Sequence, residues 1–237
     1  MVALDGPGSS GKSTVGAEAA RRLRYRFCDT GLLYRAVTWL GLERGVPATD
    51  VARVVGLVPD VELVADARGR LRRVVAGGVD VTHQVRSAPV DRSVSEYARV
   101  PELRSALLPR QRAIAVAGGI IMAGRDIGTV VLPDADLKIY LDASAEERAR
   151  RRAAQRRNAD EPGTGEILAE LRRRDAIDSG RATAPLKVPR DAIVLYTDRN
   201  TFQQTVLALV RSVREREASL GATGEGENAS GSSSHGS

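Results

Sequence analysis

Short apolar runs alternate with stretches of helical periodicity along most of the chain. Residues 1–4 form the first apolar run, and residues 13–23 then carry apolar side chains at the spacing of one helix face. Four more apolar runs are candidates for buried strands, namely residues 27–28, 120–123, 137–141 and 193–196. Because helical patterns separate most of these runs, we predict an α/β fold with a central parallel sheet flanked by helices.

Residues 61–81 break this alternation. Val61, Leu63 and Ala65 alternate with other residues as in a half-buried strand, and residues 66–70 have the composition of a turn. Two further short runs follow, separated by Gly77 and Gly78. The pattern predicts a small antiparallel meander inserted between helices.

Capping residues and one proline mark helix boundaries. Thr49 or Asp50 can cap residues 51–57, and Ser144 with Glu147 three positions later forms a capping box. Pro109 lies inside the helix predicted for residues 102–117 and should kink or end it. The other helical patterns cover residues 32–42, 90–97, 166–178 and 202–216.

Two polar stretches lack a regular pattern. Residues 156–165 are polar and contain Gly and Pro, so we expect a mobile loop there. Residues 219–237 consist mainly of Gly, Ser, Glu, Asn and Ala, which is the composition of a disordered tail. The ordered domain is therefore expected to span residues 1–218.

The length of 237 residues fits one α/β domain with a modest insert. Aromatic residues make up only 3% of the chain, so the core must be built from Val, Leu, Ile and Ala. No apolar run approaches the roughly 18 residues of a membrane span, and no signal-peptide pattern is present. The single cysteine, Cys28, makes no internal disulfide. We therefore expect a cytoplasmic, monomeric protein with no membrane partner.

The chain is basic, with a net charge of +6, and all but three of its 36 basic residues are arginine. Arginine binds phosphate through paired hydrogen bonds, but a compositional bias of the source genome would produce the same excess. Arginine therefore indicates a phosphate site only where its position agrees. Because the charge is spread out and stacking aromatics are scarce, no nucleic-acid partner is predicted.

A glycine-rich loop follows the first predicted strand and opens the first predicted helix. It matches G-x-x-x-x-G-K-[ST] at every fixed position, in the context that a phosphate-binding P-loop requires. Lys12 is expected to reach the β- and γ-phosphates of a nucleoside triphosphate, and Ser13 to ligate Mg²⁺. The predicted donor-binding residues of this loop are Gly6, Pro7, Gly8, Ser9, Ser10, Gly11, Lys12, Ser13 and Thr14.

The loop alone does not distinguish classes of nucleotide-binding protein. The alternative, a Gly/Ser-rich turn with a chance lysine, is disfavoured by the four fixed positions and the strand–helix context. The chain shows no convincing guanine-reading N-K-x-D motif and no typical D-x-x-G switch, and it is short for a motor protein. A kinase of small molecules remains the favoured class.

Three further clusters carry groups suited to a second, anionic ligand. Arg35 lies at a predicted helix start after the second strand, where it can hold a phosphate. Arg125 and Asp126 directly follow the third strand candidate, at the sheet edge where α/β folds bind ligands. Residues 172–181 supply additional guanidinium groups.

Together these motifs resemble the bacterial cytidylate kinase family. The resemblance covers residues 2–216 and rests on Asp5 with the P-loop, the D-T-G-x-x-Y-R run from Asp29, the G-R-D-I-G-T-V-V run from Gly124 and the R-R-D…D-S-x-R-A-x-x-P-L run from Arg173. It implies a P-loop kinase with a three-layer fold that transfers a phosphoryl group from ATP to CMP or dCMP, with Mg²⁺ as cofactor. Residues 58–86 would be the nucleotide-monophosphate-binding insert, and residues 148–166 the mobile lid.

The resemblance also implies roles for single residues. Arg35, Arg125 and Arg174 would hold the acceptor phosphate and act in catalysis with Lys12. The implied ATP contacts in the lid are Arg148 and Arg152. The implied substrate-binding residues are Thr30, Tyr34, Arg35, Ser95, Arg104, Arg125, Asp126, Arg174, Asp178 and Arg181. Within this set Asp178 would accept from ribose hydroxyls, and Ser95, Arg104, Asp126 and Arg181 would read the cytosine.

Cytosine recognition also makes chemical sense from the side chains themselves. A carboxylate such as Asp126 accepts from the N4 amino group, and arginine donates to N3 and O2, whereas uracil would present an oxygen lone pair to the carboxylate. Bland alternatives stay open: Arg104 on a solvated helix face, Ser95 as an ordinary helix serine, and an Arg125–Asp126 structural ion pair. Of the adjacent arginines 148, 151 and 152, at most two are expected to be lid contacts.

One position departs from the family pattern. Ala123 stands before Gly124-Arg125-Asp126, where members of the family usually carry Asp or Glu, so handling of Mg²⁺ is open to change here. The rival interpretations are another small-molecule P-loop kinase, acting on UMP/CMP, AMP or shikimate, and a catalytically idle nucleotide-binding module. No general base is expected, because a nucleotide phosphate is already largely dianionic near pH 7.

Overall fold

A five-stranded parallel sheet in the order β2-β6-β1-β7-β8 forms the centre of the protein. The computed structural model describes residues 1–67, 71–155 and 163–228. The strands of this sheet are β1 (Val2–Asp5), β2 (Arg26–Asp29), β6 (Ile120–Ala123), β7 (Leu137–Asp142) and β8 (Ile193–Tyr196). The predicted parallel α/β fold is confirmed.

Helices cover the sheet and build the walls of the site. Their bounds are α1 (Lys12–Leu23), α2 (Gly31–Glu43), α3 (Val51–Gly56), α4 (Ala88–Ala98), α5 (Pro101–Ala115), α6 (Ala145–Gln155), α7 (Thr164–Ser179) and α8 (Phe202–Asn228). None of the helices in the described ranges combines the length and apolar character that a membrane crossing needs.

Both faces of the central strands are buried, which explains their continuous apolar sequences. Leu4, Ile139 and Leu141 pack on one face against α1 and α8, whereas Ala3 and Met122 face the other side. Gly16 lets α1 approach the sheet closely. A Cβ at this position would lie 2.7 Å from the Phe27 ring and 2.9 Å from Leu4.

The predicted meander is a three-stranded antiparallel sheet made of β3 (Val61–Ala65), β4 (Leu71–Ala76) and β5 (Val79–Asp80). Its buried residues Val61, Val74 and Ala76 share a core with helices α2 to α5. The insert is therefore anchored to the helical side of the domain rather than to the central sheet.

Both predicted helix caps are present. Asp50 accepts a hydrogen bond from the amide of Arg53 at 3.3 Å, and the Ser144 hydroxyl accepts from the amide of Glu147 at 3.3 Å. The Ser144 amide donates to Asp198 at 2.9 Å, so Asp198 takes the part that Glu147 plays in a complete capping box.

Helices α5 and α8 differ from their predicted extents. Helix α5 does not end at Pro109, because burial of Leu103, Leu107 and Ala115 along one face outweighs the hydrogen bond that proline removes. Helix α8 continues to Asn228 instead of giving way to a disordered tail at residue 219, although the added turns contain three glycines, which local propensity disfavours in a helix. The rest of the predicted tail, residues 229–237, lies outside the described residues, as do lid residues 156–162.

Candidate active site

The glycine-rich loop joins β1 to α1, as the motif predicted. Gly6 has a backbone φ of 147° and Gly11 a φ of 99°, conformations that side chains disfavour. A Cβ at Gly6 would also lie 2.2 Å from the carbonyl oxygen of Leu141 on the neighbouring strand. Glycine is therefore required here by both the turn and the close approach to β7.

Lys12 is the cation of this loop. Its ammonium group donates to the Pro7 carbonyl at 2.6 Å and to the Ser10 hydroxyl at 3.3 Å. Burial, followed by the charge of Arg125, holds the pKa of Lys12 well below its ordinary value. An anion beside this lysine would offset both effects, so the environment favours binding of phosphate oxygens.

Ser13 meets a carboxylate that sequence reasoning gave no role. Its hydroxyl donates to Asp29 at the end of β2, with an oxygen–oxygen distance of 2.6 Å. A hydroxyl and one carboxylate suit Mg²⁺, which is usually held by one or two side chains together with substrate phosphates. The described residues hold no group of three or more His, Cys, Asp or Glu side chains suited to a metal. Ala123 pairs with Asp29 across the sheet and is buried.

Asp5 connects the P-loop strand to the Gly124–Val131 segment. Its buried carboxylate accepts hydrogen bonds from the amides of Ile127 and Gly128, both at 2.7 Å. Burial raises the pKa of Asp5 to about 6, although the two amide donors act in the opposite direction. This residue therefore positions the turn that carries Arg125 and Asp126.

A cavity of about 830 Å³ opens over the P-loop. The loop residues 8–15 line its floor, and its walls carry many cationic side chains. The arginines among its lining residues are Arg35, Arg86, Arg125, Arg150, Arg151, Arg152 and Arg174. The cavity has the size of a small-ligand site and the charge of a polyanion site.

Arg125 and Arg174 adjoin the P-loop directly. A Cβ built on Gly8 would lie 3.3 Å from a terminal nitrogen of Arg125 and 3.8 Å from Cδ of Arg174. Arg125 also donates from Nε to Asp178 at 2.9 Å. Burial, with the charges of Arg125 and Arg35 next, lowers the pKa of Arg174 to about 9. The two arginines thus place positive charge beside the loop that would hold the donor phosphates.

A buried polar cluster extends from Arg125 away from the loop. Arg104 forms an ion pair with Asp126 and lies 5.2 Å from the centroid of the Tyr34 ring. Arg104 and Arg181 both donate to the carbonyl of Ala98, at 3.1 and 3.5 Å. The solvated-face alternative for Arg104 is therefore excluded. Arg125 and Asp126 do not form the ion pair considered as an alternative. Arg125 pairs with Asp178, and Asp126 pairs with Arg104.

Three arginines of this region carry buried donors without a hydrogen-bond partner among the described residues. They are Nε of Arg104, Nε of Arg174 and one terminal nitrogen of Arg181. A buried unpaired donor costs about 1–3 kcal/mol, more when charged, so each of these groups calls for a partner such as a bound ligand or an ordered water. All three residues were predicted from the sequence as substrate contacts.

Comparison with known proteins agrees with this geometry. Residues 2–215 match the family model for cytidylate kinase. The chain belongs to the cytidylate kinase family. It is 43% identical over 218 residues to the cytidylate kinase of Geobacillus sp., covering 91% of this chain and 96% of that protein. It is 39% identical to the cytidylate kinase of Caldanaerobacter subterraneus subsp. tengcongensis, covering 90% and 94%.

A longer relative shows the same domain in another setting. The bifunctional pantoate ligase/cytidylate kinase of Synechococcus sp. is 43% identical over 221 residues, but the match covers only 46% of that protein. The P-loop kinase fold and the cytidylate kinase family predicted from the sequence are thus confirmed.

Two arginines of the predicted cytidylate kinase lid are not surface residues. Arg148 is buried, donates to the Gly8 carbonyl at 3.1 Å and forms an ion pair with Asp175 at 2.6 Å. It therefore supports the P-loop from behind and does not line the cavity. Arg152 is buried as well, and it forms an ion pair with Asp91 on α4.

The remaining predicted residues are also located. Thr30 is buried and donates to the carbonyl of Ala123 at 2.9 Å, and Ser95 is buried on α4. Sequence reasoning missed the acids Asp29 and Asp91, and it missed one end of the cavity. That end is lined by Thr197, Asn200, Thr201, Phe202 and Thr205. The exposed aromatic ring of Phe202 was the available signal.

Proposed function

We propose that this member of the cytidylate kinase family transfers the γ-phosphoryl group of ATP to CMP or dCMP and yields ADP with CDP or dCDP. One observation carries the proposal. The P-loop meets Arg125 and Arg174 at Gly8, and Arg174 carries a buried donor without a partner among the described residues, so donor and acceptor phosphates would lie side by side. Alignment and charge neutralisation are what phosphoryl transfer requires of a protein.

The donor side is assigned to the P-loop. The backbone amides of residues 6–14 and the ammonium group of Lys12 would surround the β- and γ-phosphates. Ser13, with Asp29 beside it, would hold Mg²⁺, which neutralises charge on the transferred group. Phe202 and the threonines around it are assigned to the adenine end. Arg148 is reassigned from an ATP contact to a support of Gly8.

The acceptor phosphate is assigned to Arg35, Arg125 and Arg174. These side chains line the cavity next to the P-loop, and arginine presents paired donors to phosphate oxygens. The attacking oxygen belongs to an already dianionic phosphate, so it needs orientation rather than proton removal. Closure of the lid, assigned to residues 148–166, would exclude water and limit ATP hydrolysis.

The buried cluster beyond Arg125 is assigned to the nucleoside. Asp126 would accept from the cytosine N4 amino group, and Arg104 and Arg181 would donate to N3 and O2. Asp178 would accept from the ribose hydroxyls, while Thr30, Tyr34 and Ser95 shape the pocket. This arrangement is supported by the unpaired donors of Arg104 and Arg181.

An acceptor panel tests the proposal. ADP release is measured with ATP and Mg²⁺ against CMP, dCMP, UMP, AMP, GMP and shikimate. We expect turnover with CMP and dCMP at least about tenfold above UMP. Turnover mainly with another acceptor would contradict the base-reading assignment, and ATP binding without turnover on any acceptor would contradict the kinase assignment.

A further inference from the structure

Asp91 occupies a position between two arginines of the cavity wall. It lies in the first turn of α4, and its side chain is 11% exposed. One carboxylate oxygen lies 2.6 Å from a terminal nitrogen of Arg35 on α2. The other accepts from a terminal nitrogen of Arg152 on α6. One carboxylate therefore bridges the acceptor side of the cleft and the lid side.

The surroundings of Asp91 are strongly cationic. Arg35 donates its other terminal nitrogen to the Val85 carbonyl at 2.8 Å, which fixes its position. A second acid, Glu170, lies farther from Arg152, with 3.8 Å between a carboxylate oxygen and a terminal nitrogen. Charges of Arg35, Arg152 and Arg174 together lower the pKa of Asp91 despite its burial, so the carboxylate is ionised at neutral pH. Asp91 is the carboxylate that Arg35 and Arg152 share in this structure.

A carboxylate and a phosphate present equivalent oxygens to a guanidinium group, and both form charge-assisted bonds with it. The nucleotide phosphate assigned to Arg35 must therefore either replace Asp91 or bind with that negative charge beside it. In both cases the charge of Asp91 opposes binding of the phosphate dianion.

We propose that Asp91, paired with Arg35 and Arg152, is an internal counter-ion that competes with the nucleotide phosphate for Arg35 and weakens CMP binding. In the ligand-free protein the same carboxylate bridges helices α2, α4 and α6, so its exchange for phosphate releases the lid-side arginine for the donor. This inference rests on the proposed function, because it takes Arg35 as an acceptor-phosphate ligand.

The test is CMP binding without ATP, measured by calorimetry, so that no turnover contributes. We expect the neutral variants Asp91→Asn and Asp91→Ser to lower the Kd for CMP at least about fivefold. Asp91→Glu retains the charge and should stay within about twofold of the wild type. The matched control is Asp191→Asn, which removes one negative charge from the Lys138–Asp191 pair, outside both the cavity lining and the insert.

Each outcome decides the proposal. An unchanged Kd in the neutral variants would make Asp91 a structural ion-pair partner only, and a raised Kd would make it a residue that positions Arg35 for phosphate; both overturn the proposal. Tighter binding in Asp191→Asn as well would assign the effect to net charge and overturn it too. If the wild type itself fails to bind CMP, the proposed function fails first. Two neutral variants are included so that one folding defect does not remove the test.

Discussion

The donor loop and the acceptor cluster lie side by side but are organised by different means. The P-loop is one continuous segment whose shape depends on glycine backbone angles and on amides at the start of α1. The acceptor cluster draws Arg35, Arg104, Arg125 and Arg174 from four separate segments and balances them with Asp91, Asp126 and Asp178. Backbone geometry prepares the first site, and compensating charges prepare the second.

This difference has a consequence for substitution. In the donor loop a single side chain, Lys12, supplies the charge, and no other lysine is near in sequence. In the acceptor cluster, Arg104 and Arg125 are paired with Asp126 and Asp178, which are themselves candidate ligand contacts. Changes in the loop should therefore act on rate, whereas changes in the cluster should act on selectivity and stability together.

The largest expected effect is on the donor side. Lys12→Met should lower kcat on the order of 10³-fold, because one preorganised charge next to the transferred group is lost. Steady-state ADP release with saturating CMP measures it. Lys138→Met, which breaks the ion pair between Lys138 on β7 and Asp191, serves as control and should keep its rate. A Lys12→Met enzyme retaining a tenth of the wild-type rate would argue against the loop as the main source of catalytic charge.

The next effect concerns the acceptor cluster. Asp126→Asn should reduce the ratio of kcat/KM for CMP over UMP by about 10²-fold, since the amide accepts and donates where the carboxylate only accepts. The same change also removes the ion-pair partner of buried Arg104, so thermal unfolding is measured in parallel. The exposed Asp134→Asn is the control. Lower stability with an unchanged CMP/UMP ratio would reduce Asp126 to a structural role.

The smallest expected effect concerns Asp5, which joins the two regions. The folded protein holds the proton of Asp5 more tightly than the unfolded chain, since burial raises its pKa from 3.8 to about 6. Stability from this group is complete below about pH 4 and is lost as the pH rises through 6, by about 3 kcal/mol in total and about 2 kcal/mol between pH 4.5 and 7.5. Asp5→Asn lacks this ionisation. Urea unfolding of both proteins is measured from pH 4.5 to 7.5. The free energy of unfolding of the wild type, relative to that of Asp5→Asn, should fall as the pH rises. A difference between the two proteins that does not change with pH would refute the raised pKa of Asp5.

Sequence reasoning performed well where the determinants are local. Asp50 and Ser144 were predicted as caps from adjacent residues, and the P-loop from one motif in its strand–helix context. The meander followed from alternation and paired glycines. In each case, the residues that determine the structure are neighbours in the chain.

The errors arose where partners are distant in sequence. Nothing near Arg148 indicates that it would be buried under Gly8 beside Asp175, and nothing near Asp91 indicates two arginines from other helices. Local propensity predicts a kink or an end at Pro109, and the end is not found, because packing along the rest of α5 lets the helix continue to Ala115. The roles of the site residues stay predictions until nucleotide binding is measured.

Gly16 gives the phosphate site a requirement outside its motif. Since a methyl group there would collide with Phe27 and Leu4, the helix could keep its place only if these two side chains moved. The distance between α1 and the sheet determines where the first amides of α1 lie relative to a bound anion. Gly16, a core residue outside the nucleotide site, thus helps to fix the position of the P-loop amides. The sequence requirement of the phosphate site therefore extends beyond the motif that ends at Thr14.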